Sequence, residues 1–159
     1  MKNLIVALAI VLTATAFSQS QKSVYGQCID SIGVNEDYVL VFLLLSPNEI
    51  ASKFIEEKDA KEYNESVKRN AQIYKGKYVF MTTDELDKIT SESNYKYIFG
   101  VNLYLTYGRK LNIRGCGTML VETGIYYNFT KLITGNIAQT VKKEIKGIEN
   151  CRAGNSSKK

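Results

Sequence analysis

The chain has 159 residues, a formal net charge of +5, 45% hydrophobic residues, three cysteines, and neither histidine nor tryptophan. That length fits one ordinary domain with a core of its own. The missing histidine excludes Ser-His-Asp and Cys-His nucleophiles and histidine-ligated metals, and the cysteine spacing matches no zinc motif. The small positive surplus is spread over the chain, in part at Lys75 and Lys77 and in part at Arg152, Lys158 and Lys159. It reads as solvated surface and not as a nucleic-acid footprint.

Met1-Lys2-Asn3, the apolar run Leu4 to Ala14 and the small-residue site Ala16-Phe17-Ser18 form a secretory leader, cut between Ser18 and Gln19. The run is shorter than the ~20 apolar residues of a membrane span. No cysteine stands at the cut, so the expectation is a soluble, periplasmic or secreted protein without a lipid anchor or a membrane span. Residues 1–18 are then the signal peptide, 19–151 a single domain and 152–159 a disordered basic tail. Export places Cys28, Cys116 and Cys151 in an oxidising compartment. One bridge is expected, its pairing is open among three choices, and the odd thiol is available for a disulfide-linked dimer.

Residues 19–37 are polar, with a short edge strand at Val24-Tyr25 and Cys28-Ile29. Tyr38 to Leu45 is an unbroken apolar run, the pattern of a central strand buried on both faces. Ser46-Pro47-Asn48-Glu49 is a capping box with proline at the first helical position. A long helix continues to about Tyr74, ended by Gly76, with an apolar stripe that thins at 57–62, where a break can fall. Lys77 to Met81 is a second strand, parallel to the first through a right-handed crossover. Thr82 and Glu85 form another capping box, opening a short helix with Leu86 and Ile89 inward.

From Tyr95 the period becomes two. Tyr95, Tyr97, Phe99, Val101, Leu103, Leu105 and Tyr107 share a face, continued by Leu111, Ile113, Met119, Val121, Ile125, Tyr127 and Phe129. Gly108-Arg109-Lys110 and Glu122-Thr123-Gly124 are turns, and Gly115-Cys116-Gly117 is a candidate bulge. The result is a three-stranded antiparallel meander with one covered face. Asn136 caps a last helix from Ile137 to Asn150, with Ile137, Val141, Ile145 and Ile148 inward. The fold class is α+β: a single mixed sheet, made of a crossover strand-helix-strand and a three-stranded antiparallel meander, with helices packed on one face and the other face wet.

This element order resembles the periplasmic TolB amino-terminal type of domain, shared by small envelope accessory proteins. Tyr95-Lys96-Tyr97-Ile98-Phe99-Gly100 is similar to that group's strand ending in glycine. Met119 to Tyr127, with Glu122-Thr123-Gly124, is similar to its strand pair with an acidic residue ahead of Thr-Gly at the turn. The similarity spans about residues 38–148. The charged long helix and the three cysteines depart from the pattern. The resemblance implies a non-catalytic envelope protein that binds other proteins, and it transfers no functional residue.

Four residues are candidates for a binding face: Tyr104 and Tyr126, with Asn102 and Asn128, as an aromatic-polar platform for a glycan, peptide or partner strand. Their plainer explanation is β-propensity. Asp84, Glu85 and Asp87 could supply acid–base chemistry, although capping and the helix dipole already account for two of them. Cys116, between two glycines, is a structural half-cystine or a reactive thiol. Asn64, Asn128 and Asn155 begin sequons that matter only in a eukaryotic secretory pathway. The expected function is an exported, non-enzymatic domain that contacts another envelope or secreted protein through the meander face and its edge strand. No cofactor, metal or nucleic acid is expected. The alternative is a small-ligand or glycan-binding module, and the third reading is a carboxylate-dependent hydrolase using Asp84 and Asp87.

Overall fold

The computed structural model of the protein describes residues 23–48, 55–85, 88, 94–105, 111–130 and 136–157; the side chains of 102–105, 111, 112 and 114 lie outside the description. The expected signal peptide, Glu49, Leu86, Asp87, Ile89 and the expected turn at 108–110 all lie outside the described residues.

The strands are β1 (Ser23–Tyr25), β2 (Val39–Leu44), β3 (Tyr78–Thr82), β4 (Tyr95–Leu105), β5 (Leu111–Leu120) and β6 (Ile125–Asn128), and the helices are α1 (Glu57–Asn70) and α2 (Ile137–Ser156). The six strands form one mixed sheet in the order β1-β6-β5-β4-β2-β3. β4, β5 and β6 are the antiparallel meander. β2 runs parallel to both β3 and β4. β1 runs parallel to β6, Ser23 to Tyr25 against Tyr126 to Asn128.

β2 lies in the interior, as its sequence demands: Leu40, Val41 and Phe42 have no exposed surface. Its backbone alternates between neighbours. Val39 donates to the Asn94 carbonyl on the β4 side and Leu40 to the Lys77 carbonyl on the β3 side. Past Phe42, where the pairing with β4 ends, α1 finishes the ladder on that side. The Tyr63 hydroxyl donates to the Leu43 carbonyl at 2.9 Å, and the Asn64 amide both accepts from the Leu45 N–H and donates to its carbonyl at 2.9 Å. Such end groups are costly to bury without partners.

The expected long helix is broken. Pro47 and Asn48 are helical, but Ile55 is a β-bridge residue buried in the core, and α1 begins only at Glu57. Acidic Glu57 and Asp59 in its first turn and basic Lys68 and Arg69 in its last suit the helix dipole. Ala60, Tyr63 and Val67 face the sheet. α2 packs on the same side through Ile137, Val141, Ile145 and Ile148, and Asn136 caps it by accepting from the Gln139 N–H.

α2 does not stop near Asn150. It continues through Ser156, so residues 152–157 are an ordered, anchored end where composition predicts a disordered tail. The Asn155 amide donates to the carbonyls of Ile29, Asp30 and Ile32, and the Ser156 hydroxyl to that of Gly33. Gly33, at φ +80°, lies against the Arg152 backbone, where a side chain would clash. Cys28–Cys151 is the bridge, with Cα atoms 5.4 Å apart, and Ile29 and Ile32 beside it join the core. Cys28-Ile29 is therefore not strand, and only Ser23 to Tyr25 pairs in the sheet.

Two bulges overturn the simple odd-position face. Lys96 is an extra residue between the pairs Val39/Tyr95 and Leu40/Tyr97, and Arg114 an extra residue between Asn102/Gly115 and Leu103/Ile113. Tyr97 and Phe99 therefore face the helices, while Tyr95, Met119 and Val121 pack on the other side. There they join a second apolar cluster around buried Val41, Met81 and Ile98. The expectation of a wet second face fails for this reason: a strand buried on both sides, as β2 is, needs apolar company on both.

Cys28–Cys151 closes a loop with a sequence separation of 123. We expect replacing both cysteines by serine to lower the unfolding free energy by about 3–5 kcal/mol in urea titrations, since cross-linking a loop of that size restricts the unfolded chain most. A loss below about 1 kcal/mol would contradict an anchoring role for the bridge.

Candidate functional site

The proposed tyrosine platform does not assemble as an open surface. Tyr126 is buried at 8% exposure, and its hydroxyl donates to the Gly100 carbonyl at 3.2 Å. Its ring lies over Gly117, the cross-strand partner of Gly100, where an added Cβ would come within 2.9 Å of it. Gly117 leaves the room and the tyrosine fills it, so Tyr126 serves the sheet. Asn128 accepts from the Ser23 hydroxyl and donates to the Thr130 carbonyl. Asn102 pairs with Gly115 and Tyr104 with Asn112 in the ladder, and their side chains lie outside the description.

The sequons have structural explanations too. The side-chain amides of Asn64, Asn128 and Asn155 each donate to backbone carbonyls within the fold.

Nor do the two described carboxylates, Asp84 and Glu85, converge; Asp87 lies outside the described residues. Glu85 accepts from the Thr82 N–H at 3.0 Å, as the capping box requires, and pairs with Lys88 at 2.7 Å. The Lys88 ammonium beside it holds its carboxyl below the ordinary value. Asp84 is exposed and accepts from the Asn48 amide at 3.3 Å. Among the described residues no group of three His, Cys, Asp or Glu side chains could hold a metal ion.

Cys116 is the free cysteine, buried at 1% exposure. Burial, and then the charge of Glu144, push its thiol well above the usual range. A reactive thiol needs the opposite environment, and a bridge from it to a second chain would require the sheet to open. Glu144 is the polar residue that sequence reading missed. It interrupts the apolar stripe of α2, yet is wholly buried. Its carboxylate accepts from the Phe129 N–H at 2.9 Å, and from the N–H and hydroxyl of Thr130. It thereby ties α2 to the end of β6. Burial raises its carboxyl above the ordinary 4.5, against the opposing pull of the Thr130 and Phe129 donors.

Among the described residues the sheet ends on two edge strands, β1 and β3. The meander offers none of its own: β6 is covered by β1, and β4 by β2. Among the described residues no strand pairs the outer side of β3. The parallel register sets Leu40 against Tyr78 and Phe42 against Phe80. With Leu40 donating to the Lys77 carbonyl, the backbone groups of Val79 and Met81 face β2, and those of Tyr78, Phe80 and Thr82 face outward. Tyr78-Val79-Phe80-Met81-Thr82 carries no charge. Phe80, at its middle, is 41% exposed, and its ring lies 5.9 Å from Phe42 and 5.7 Å from Tyr78. The strand is framed by exposed Lys75 and Lys77 before it and by Asp84 and Glu85 after it.

Because folded Glu144 holds its proton to higher pH than the unfolded chain does, the folded state binds more protons in that interval. We expect its contribution to stability to be greatest below the ordinary value of 4.5 and to be lost as pH rises through the raised one. Unfolding titrations across that interval should show the decline in the native protein and a flatter profile in Glu144→Gln; equal slopes would contradict the assignment.

No protein-family model matches the chain, and no curated protein or solved structure matches it.

Proposed function

We propose that this protein is exported through its leader and acts without catalysis, by binding another envelope or secreted protein along the outer edge of β3. The observation that carries the reading is an uncharged strand whose outer side no described strand pairs, with a half-exposed phenylalanine at its centre. An edge of this kind is a template for strand addition: backbone groups supply affinity and side chains on alternate positions supply selectivity. Sheets that must stay unpaired guard such an edge with a charge, a proline or a bulge inside the strand. β3 has none of these, and its charges stand only at its ends. The intrachain bridge Cys28–Cys151 suits an oxidising compartment. The resemblance of residues 38–148 to TolB amino-terminal-type envelope domains supports the same reading.

A photoreactive amino acid at position 80, introduced in the producing cells, tests this. We expect ultraviolet-dependent adducts with protein at position 80 and not at exposed Lys142 on α2. Adducts of equal yield at both positions, or none at position 80, would remove the edge from consideration.

A further inference from the structure

We propose that the occupant of the β3 edge is a second copy of this chain, with the two β3 strands antiparallel about a two-fold axis through Phe80. This rests on the reading of β3 as a contact edge and names the partner.

Register favours this pairing. Centred on Phe80, an antiparallel arrangement sets Phe80 against Phe80, Tyr78 against Thr82 and Val79 against Met81. Tyr78, Phe80 and Thr82 are the residues whose backbone groups point away from β2. In an antiparallel pair, residues directly opposite one another with outward groups exchange their N–H and C=O bonds. The Thr82 N–H is already held by Glu85 at 3.0 Å. The pairing therefore uses the N–H and C=O of Phe80, the Tyr78 N–H and the Thr82 carbonyl. Aromatic and apolar side chains then lie opposite each other on both faces of the joined sheet, an arrangement that stabilises strand pairs.

Charge favours it independently. Beyond the ends of the paired strands, this arrangement brings the basic end of one copy, Lys75 and Lys77, beside the acidic end of the other, the 3-10 turn that bears Asp84 and Glu85. Each copy offers a basic end and an acidic end, so a two-fold axis satisfies both at once. A parallel arrangement would set lysine against lysine, which destabilises a strand pair. The ion pairs these groups make within one copy, Lys77 with Asp37 and Lys88 with Glu85, are exposed and therefore cheap to rearrange.

A five-residue edge buries less than the ~1,200 Å² of a stable interface, so the dimer is weak and its dissociation constant falls in the micromolar range or above.

Sedimentation of the oxidised, full mature chain across about 1–500 μM should show reversible monomer–dimer exchange. Phe80→Lys is expected to weaken it by roughly tenfold or more. Charge reversal gives a test that leaves the strand untouched. Lys75→Glu with Lys77→Glu, and separately Asp84→Lys, should each weaken self-association, and mixing the two variants should restore a dimer containing one of each. A chain that stays monomeric throughout, or a dimer indifferent to Phe80→Lys and to the charge reversals, overturns the second copy as occupant. A monomer whose position-80 crosslinker still captures a different protein overturns this inference and leaves the broader reading standing; no adduct at all ends both.

Discussion

Everything in this fold is arranged around the need to bury β2 on both faces. Its apolar residues lack alternation, so neither side can meet water, and its backbone must find partners along both edges. The solution is a parallel neighbour on each side. A parallel neighbour cannot be reached by a tight turn, so the chain must cross over the sheet. The crossover segment contains α1, whose Tyr63 and Asn64 side chains then complete the hydrogen bonding of Leu43 and Leu45. The same requirement places β3 outermost, with one side bonded to β2 and the other open among the described residues.

The opposite end of the sheet faces a different problem. β1 has three residues, too few to hold a sheet edge on hydrogen bonds alone. The loop after it keeps it in place. Cys28 is bridged to α2, Ile29 and Ile32 sink into the core, and Asn155 gathers the carbonyls of the same loop. Glu144 fastens the middle of α2 to the end of β6. The covalent bridge and the buried carboxylate thus act on one helix, and β1 closes the meander that would otherwise end at β6. The two outermost strands are held in different ways, β1 by its tethered loop and β3 by its pairing with β2.

Much of this was legible from residue order. The apolar run of β2, the capping box at Thr82 and Glu85, the Asn136 cap and the turn at Glu122-Thr123-Gly124 follow from local chemistry, and local chemistry is what a sequence displays. The face assignments past Lys96 and Arg114 were not legible, because one extra residue in a ladder reverses every side chain beyond it and leaves no mark in composition. Nor did α2 announce its full length: the residues that extend it are polar, and their partners lie more than a hundred positions away. Nothing local in the sequence marks Glu144, because the Thr130 and Phe129 donors that hold it come from outside its helix. Tyr126 is not a surface residue because Gly117 leaves a hollow that its ring fills and the Gly100 carbonyl takes its hydroxyl. The open edge was sought on the meander, and it lies instead on the strand that the crossover delivers.

The functional reading stands on β3 being bonded on one side only. Amide hydrogen exchange on the isolated protein, at concentrations low enough to keep it monomeric, tests this residue by residue. The expected pattern has a period of two: slow exchange at Val79 and Met81, whose N–H groups face β2, and fast exchange at Tyr78 and Phe80, whose N–H groups face outward. Equal protection at all four would contradict it, by showing that the outer edge is already occupied within a single chain.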